Sequence, residues 1–521
     1  MHENRETSPP AAEHSSPAGK GKCRNASMNG GEESDGVVVP VSPSNKAKEK
    51  HTKAAEVEEG RTPTKENANQ AHTPPARNGK GVSQGLGGVR RVAKENKQER
   101  FTTLLHHVTT GLLRQSFHHL KKEAAAGVDR VTWRQYEQGM EGRIADLHNR
   151  VHRGTYRAQP SRRIYIPKAD GRQRPIGIAA LEDKIVQQAV VTVLNEIYEA
   201  DFRGFSYGFR PGRSQHDALD ALSAAIQSKK VNFMVDADIR GFFDQMMHEW
   251  MEQFVQHRVA DPRILRLIQK WLKAGVSEEG EWSETKVGTP QGAVISPLMA
   301  NLYLHRVFDL WVEAWRKKVA KGDVIAIRYA DDVVVGFQHR AEAERFLKEF
   351  KERLAKFGLE LHPDKTRLIE FGRFAQANRR ERGEGKAETF TFLGFTHHCG
   401  TNSNGTFVVW RTTAKKRLEA KLQQIKQTLR ARMHEPVRQT GEWLKSVMRG
   451  YYQYFAVPGN LASLQKFRER ISRYWRHALE RRSQRGRVTA ARAARLFQRW
   501  LPRPVVLHPY PMVRFYAKHP R

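Results

Sequence analysis

The 521-residue chain is nearly devoid of cysteine: it has Cys23, in a polar stretch, and the distant Cys399. Two such residues make neither a disulfide framework nor a Cys-x-x-Cys zinc site. A reducing cytoplasm therefore fits, and any metal is expected on oxygen ligands. No apolar run reaches the roughly 18 residues of a transmembrane span, so no membrane span is expected. Met1–Pro10 is polar and acidic, unlike a signal peptide. Neither Gly-x-Gly-x-x-Gly nor Gly-x-x-x-x-Gly-Lys-Ser/Thr occurs where strands and helices interleave, so neither a Rossmann domain nor a P-loop is supported. Acid is scarce too. Asp and Glu number 56 against 90 Lys and Arg, leaving a formal net charge of +34. An excess of that size calls for a polyanionic partner, most simply nucleic acid, with an anionic membrane surface as the rival.

The charge is unevenly placed. Residues 1–90 carry a net +2, residues 91–410 a net +10 and residues 411–521 a net +22. Residues 1–90 are rich in Ser, Pro, Gly, Asn, Glu and Lys and poor in aromatics, a composition that buries too little apolar surface to offset chain entropy. They are expected to form a disordered tail. The centre reads as mixed α and β. Helical periodicity runs from Leu181 to Tyr198 and from Ala341 to Phe357, and short apolar runs at Phe233–Ile239, Val324–Arg328 and Val333–Phe337 read as strands.

Two of those strands flank Tyr329-Ala330-Asp331-Asp332, so the two adjacent acids are expected at a hairpin turn. Asp is a favoured turn residue, and a solvated turn explains the pair equally well. A third apolar strand, Phe233–Ile239, carries Asp236 and Asp238 on one face by strand alternation. A buried acid needs a partner, and a divalent cation is one that satisfies it. If this strand lies beside the hairpin, Asp238, Asp331 and Asp332 converge as a set of hard oxygen ligands suited to Mg²⁺. Two such ions about 4 Å apart would stabilise the attacking and leaving oxygens of a phosphoryl transfer.

Tyr329-Ala330-Asp331-Asp332 resembles the Tyr-x-Asp-Asp signature of reverse transcriptases, and Asp238-Ile239-Arg240-Gly241-Phe242-Phe243-Asp244 resembles their first carboxylate motif. Gly288-Thr289-Pro290-Gln291-Gly292-Ala293-Val294-Ile295-Ser296-Pro297-Leu298 is similar to the helix-opening motif under the incoming nucleotide. Phe357–Thr366 and Phe392-Leu393-Gly394-Phe395 look like the two blocks after the hairpin. The blocks keep the family's order, and the likeness spans roughly Phe101 to Pro511. Within the family the chain resembles the group II intron-encoded proteins, on Ala126-Gly127-Val128-Asp129 with Thr132, on Ile164–Ile178 and on Phe205–Ser214. One departure is Arg130, where the family commonly has Gly, which affects the local loop.

The resemblance implies a fold of class α+β: a right-hand polymerase with fingers and palm over residues 91–410, an α-helical thumb and maturase domain over 411–500, and a basic tail over 501–521. It implies that Asp238 and Asp331 bind metal, two Mg²⁺ ions in all, with Asp332 as the neighbouring acid. Asp236 and Asp244 read as supporting acids. Phe243 is implied to lie beneath the sugar and reject a ribose 2′-OH, although it also reads as a core residue. Gln291 is implied to contact the incoming nucleotide, or else to cap the following helix. Lys168 and Arg174 flank a predicted hairpin turn; they either clamp the triphosphate or contact RNA backbone. Lys365 resembles the lysine proposed as general acid to the leaving pyrophosphate.

In the basic C-terminal part, Leu418, Leu422, Ile425, Leu429 and Met433 recur at helical spacing. A second helix is expected to carry Trp443, Val447 and Tyr451, and a third Leu464, Phe467, Ile471, Trp475 and Leu479. The stripes read as core and the basic faces as the RNA-binding candidates, since A-form RNA is recognised through backbone and shape. Tyr451–Phe455 reads as core, with base stacking as the alternative. Many relatives end in an endonuclease with paired cysteines; its absence is expected here. The expected function is RNA-directed DNA synthesis coupled to splicing and mobility of a group II intron in a bacterial cytoplasm. Its partners would be the intron RNA, an RNA template, a DNA primer, target DNA and dNTPs. A pure RNA chaperone and a domesticated or retron-like enzyme are the competing readings.

Overall fold

The computed structural model describes residues 82–167, 173–284, 287–289, 291–482 and 488–519. Its strands are β1 (Ser161–Pro167), β2 (Gln173–Ile178), β3 (Phe233–Asp238), β4 (Val276–Glu278), β5 (Glu281–Ser283), β6 (Val324–Tyr329), β7 (Asp332–Phe337), β8 (Arg367–Glu370), β9 (Phe390–Phe392), β10 (Phe395–Thr401) and β11 (Phe407–Thr413). They form three sheets, ordered β2-β1-β4-β5, β6-β7-β3-β8 and β11-β10-β9.

The central sheet, β6-β7-β3-β8, is antiparallel throughout and buried on both faces. This explains why β6 and β7 read as largely apolar runs. Alternation divides its side chains between two cores. Val235, Ala237, Ala326, Val333, Val335 and Phe337 enter the larger core. That core is built with the Leu181–Tyr198 and Ser296–Leu304 helices, among others. Met234, Ile325, Ile327, Val334 and Ile369 enter the second core with the Gln215–Ser228 helix and the C-terminal helices. Asp236, Asp238 and Asp332 share this second face by register. That face is therefore apolar at one end and acidic at the other.

The Leu181–Tyr198 helix has the predicted bounds and buries twelve of its residues. Among the C-terminal helices, Leu461–Glu480 buries all five residues of its predicted stripe. In Lys415–Ala431 the buried residues are Leu422, Ile425 and Leu429, and the helix ends before Met433. In Val437–Phe455 the buried face is centred one residue off the prediction, on Leu444, Met448, Tyr451, Tyr452 and Phe455, while Trp443 and Val447 are only partly buried. Tyr451, Tyr452 and Phe455 are thus core residues.

Two boundaries differ from the sequence expectations. Residues Val82–Glu95 form a helix whose Leu86, Val89 and Ala93 are buried. The stretch 82–90, grouped with the tail on composition, therefore belongs to the fold, and residues 1–81 lie outside the described residues. The C-terminal stretch is also more than a basic tail. Pro511–Lys518 is a helix packed on the Gln215–Ser228 helix, with Phe515 buried. Arg514 is ion-paired to Asp220 and Lys518 to Asp217. Among the described residues no helix is long and apolar enough to cross a membrane.

Candidate active site

β6 and β7 form a hairpin in which Tyr329 pairs with Asp332, leaving Ala330 and Asp331 as the turn. Ala330 has φ +55°, a left-handed conformation that costs an L-residue about 1–2 kcal/mol. The surroundings hold it there. The backbone of Gly208 lies against the turn so closely that a Cβ would sit 2.2 Å from the Ala330 nitrogen. Phe205–Tyr207 runs beside β6, with Arg328 N donating to Phe205 O at 2.9 Å and Tyr207 N to Arg328 O at 2.8 Å. The Phe205–Ser214 block quoted above thus braces the acidic hairpin.

Arg328 is the anchor beneath the turn. Its guanidinium donates to Asp309 Oδ1 and Oδ2 at 2.7 and 2.6 Å, to Asn301 Oδ1 at 3.0 Å and to Ala330 O at 3.1 Å. Asn301 in turn donates to Gly208 O at 2.7 Å. Burial opposes ionisation of Asp309, but the charge and hydrogen bonds of Arg328 outweigh it and hold the carboxyl below its usual range. Asp309 lies in a π-helical turn, His305–Asp309, inside the long helix that starts at Ser296. None of these supports was found in the sequence. The available signal was the charge itself: an arginine in the apolar run Val324–Tyr329 must have a buried partner.

β3 lies next to β7, and Asp238 is directly opposite Asp332. Asp331 is one residue away in the turn, so the three predicted acids lie at one end of one sheet. Asp238 is buried, and Lys365 donates to its Oδ2 at 2.7 Å. The Phe357–Thr366 block delivers that lysine by running along β3 and its extension, with His362 N donating to Asp238 O at 2.7 Å and Arg240 N to Glu360 O at 2.8 Å. Asp236 is within 3.7 Å of Arg367.

Of the remaining predicted residues, Arg174, Gln291, Phe243 and Asp244 meet on a loop between this sheet and the first one. Arg174 on β2 donates through Nε to Gln291 Oε1 at 2.8 Å, and Gln291 Nε2 donates to both carboxylate oxygens of Asp244 at 3.2 Å. Thr289 N donates to Phe243 O at 2.9 Å, which ties the same loop to the residue before Asp244. Gly288, at φ +87°, passes so close that a Cβ would meet Phe243 O at 2.8 Å. Phe243 itself is partly buried and edge-on to Phe242. Lys168 lies outside the described residues. Arg130 has φ +54°, the conformation glycine favours, at the position where a Gly is common.

The donor set fits a divalent cation of the hard, oxygen-loving kind. Among the described residues no group of three or more His, Cys, Asp or Glu side chains is placed to hold a metal ion, so Asp238, Asp331 and Asp332 do not form a preassembled three-carboxylate site. Mg²⁺ is usually held by one or two carboxylates together with substrate phosphates, so an open pair of acids on adjacent strands is the suitable form.

Residues 166–397 match the model of the reverse transcriptase (RNA-dependent DNA polymerase) family. Over 274 residues the chain is 32% identical to the protein YkfC of Escherichia coli K12, covering 46% of this chain and 71% of YkfC. Over 221 residues it is 34% identical to the group II intron-encoded protein LtrA of Lactococcus lactis, covering 42% of this chain and 37% of LtrA. A 91 kDa protein in the cob intron of Schizosaccharomyces pombe is 40% identical over 154 residues, covering 30% of this chain and 19% of that protein. The match thus spans well under half of the last two relatives. The chain belongs to the reverse transcriptase family, in its branch of group II intron-encoded proteins and intron maturases.

Proposed function

We propose that the chain copies RNA into DNA by transferring deoxynucleotides to a primer 3′ end, and that it binds its own group II intron RNA to assist splicing and mobility. The single observation that carries the polymerase reading is the opposition of Asp238 and Asp332 across β3 and β7, with Asp331 in the adjoining turn. In this reading Asp238 and Asp331 hold two Mg²⁺ ions, with Asp332 beside them. When bound, the ions would neutralise charge on the attacking 3′ oxygen and the leaving pyrophosphate. Arg174 supplies a guanidinium for the triphosphate, and Gln291 an amide for the nucleotide. Phe243 closes the space a 2′-OH would need. Lys365, which donates to Asp238 at 2.7 Å, would in this reading give a proton to the departing pyrophosphate. In this reading β1–β2 and their neighbours form fingers, the central sheet a palm, and the helices after residue 411 a thumb and maturase domain. Lys168 would join Arg174.

The RNA-binding half of the proposal rests on the net +22 of residues 411–521 and on the intron-encoded relatives. The partners are then intron RNA, an RNA template, a DNA primer, target DNA and dNTPs, in a bacterial cytoplasm. Primer extension on an RNA template with dNTPs and Mg²⁺ tests the first half: wild type should extend and Asp331→Ala should not. Equal extension by both proteins overturns it. Splicing of a cognate intron at low Mg²⁺ tests the second half, and the Asp331→Ala protein should still support it if RNA folding is separate from polymerisation.

A further inference from the structure

The first turns of the Leu181–Tyr198 helix bury three polar side chains, Asp183, Lys184 and Gln187, on an otherwise apolar buried face. Buried polar groups of this kind must be satisfied from elsewhere in the fold. Asp183 accepts from Tyr156 OH and from Gln159 N, and Lys184 donates to Ala125 O at 2.9 Å. Gln187 reaches in a different direction. Its Oε1 accepts from the backbone N–H groups of Val294 at 3.0 Å and Ile295 at 3.4 Å. These N–H groups stand at the start of the Ser296–Leu304 helix, whose own N-cap residue, Ile295, provides no side-chain cap. A cap normally comes from the adjoining chain; here a helix more than a hundred residues away supplies it.

The capped segment is the one that carries Gln291. On its other side, Gly177 N of β2 donates to Gln291 O at 2.8 Å. Gly292, at φ +121°, lets the chain pass where a Cβ would meet Gly177 O at 2.6 Å. The backbone around Gln291 is therefore held at two points, by β2 on the residue itself and by Gln187 three and four residues later. The orientation of the Gln291 amide, between Arg174 and Asp244, depends on both. We infer that Gln187 is a positioning residue for nucleotide binding: it fixes the loop that presents Gln291 without touching the nucleotide. This inference rests on the polymerase reading above and adds to it a residue that neither its motifs nor its charges identify.

Loss of the acceptor leaves two buried N–H groups without this partner and lets the loop shift, while the carboxylates on β3 and β7 keep their places. A loop that serves only to present Gln291 to the nucleotide acts on binding, so the effect belongs in KM. The test is steady-state primer extension by wild type, Gln187→Met and Gln187→Glu, with melting temperature and template–primer affinity measured for each. Met keeps the shape and loses the oxygen; Glu keeps an oxygen that accepts. The expected result is a rise of about tenfold in KM for dNTPs in Gln187→Met, kcat within about threefold of wild type, unchanged template–primer affinity, and recovery to within about threefold in Gln187→Glu. An active wild type beside a folded Gln187→Met with unchanged KM overturns the inference alone. So does a Gln187→Glu no better than Gln187→Met when both melt as wild type does. A wild type that extends no primer overturns the polymerase reading, and this inference with it.

Discussion

Arg328 and Asp309 form a bidentate ion pair in which both side chains are fully buried, at 2.6 and 2.7 Å, and the same guanidinium holds the carbonyl of Ala330 in the acidic turn. A lysine at this position supplies charge but not the planar fork that reaches Asp309, Asn301 and Ala330 together. The lost bonds leave buried acceptors under-satisfied, at a cost of about 1–3 kcal/mol for each such group. Arg328→Lys is therefore expected to lower thermal stability and to reduce primer extension by about a hundredfold, since the acids ride on a turn displaced by a fraction of its width. Asp331→Asn should abolish extension with no comparable loss of melting temperature. Calorimetry and primer extension on the two variants separate support from chemistry. An Arg328→Lys protein that is destabilised yet fully active would show that the turn keeps its shape without the pair.

Phe243 is partly buried, and its carbonyl receives Thr289 N from the Gln291 loop. If its ring limits the space under the sugar, Phe243→Val should raise kcat/KM for ribonucleotides relative to deoxynucleotides by roughly tenfold or more, the usual scale for a pocket that gains a few methylenes of room. The check is competition between dNTP and NTP on one template. A lower melting temperature with an unchanged ratio would assign Phe243 to the core instead.

What was legible in the sequence follows the range of the interactions. Strands β3, β6 and β7 of the central sheet and the Leu181–Tyr198 and Leu461–Glu480 helices depend on which faces are apolar, and that pattern is written locally, whereas β8 is too short and too charged to show it. The acidic hairpin was legible for the same reason, as two apolar strands around a short polar break. Arg328 with Asp309, and Gln187 with Val294, were not. Each joins segments whose meeting is decided by packing, and no spacing in the chain records it. The helix Val82–Glu95 was hidden by its own glycines: Gly85, Gly87 and Gly88 give it the composition of a linker, while only Leu86, Val89 and Ala93 mark its buried face. Pro511–Lys518 follows a proline-rich stretch, and its place on the fold depends on Phe515 and two ion pairs that composition reads as generic basic tail.

Asp183 gives a pH dependence with a definite sign. Burial pushes its carboxyl up to about 6, against the hydrogen bonds from Tyr156 and Gln159. The folded state thus holds the proton more tightly than the unfolded chain does. The stability contributed by this group is fully present below about pH 4 and is lost as pH rises through about 6. The whole window is worth about 3 kcal/mol, and the part between pH 5 and 7.5 about 1 kcal/mol. Asp183→Asn has no such titration, and it pays a fixed penalty for the acceptor it lacks. The melting temperature of the variant relative to wild type should therefore rise between pH 5 and 7.5. A gap that stays constant, or narrows toward acid in the variant's favour, would contradict the assignment.

Asp220 gathers the C-terminus onto the fold. Its carboxylate accepts from Arg411, which is fully buried, at 3.2 Å, and from Arg514 of the terminal helix through Nη2 at 3.0 Å and through Nε. The two arginines are not equivalent. Removing Arg514 leaves Asp220 with Arg411, so the Pro511–Lys518 helix loses an anchor while the interior stays compensated. Removing the charge of Asp220 leaves a buried guanidinium without its counter-ion, at a cost of about 3–5 kcal/mol. Arg514→Met is therefore expected to lose amide exchange protection within Pro511–Lys518 with little change in overall melting temperature. Asp220→Asn should lose protection there, along the Gln215–Ser228 helix and in β11, and should melt markedly lower. Because these ion pairs are buried, added salt should screen them little. Hydrogen exchange read by mass spectrometry across the three segments distinguishes the variants, and equal, purely local loss in both would show that Arg411 does not depend on Asp220.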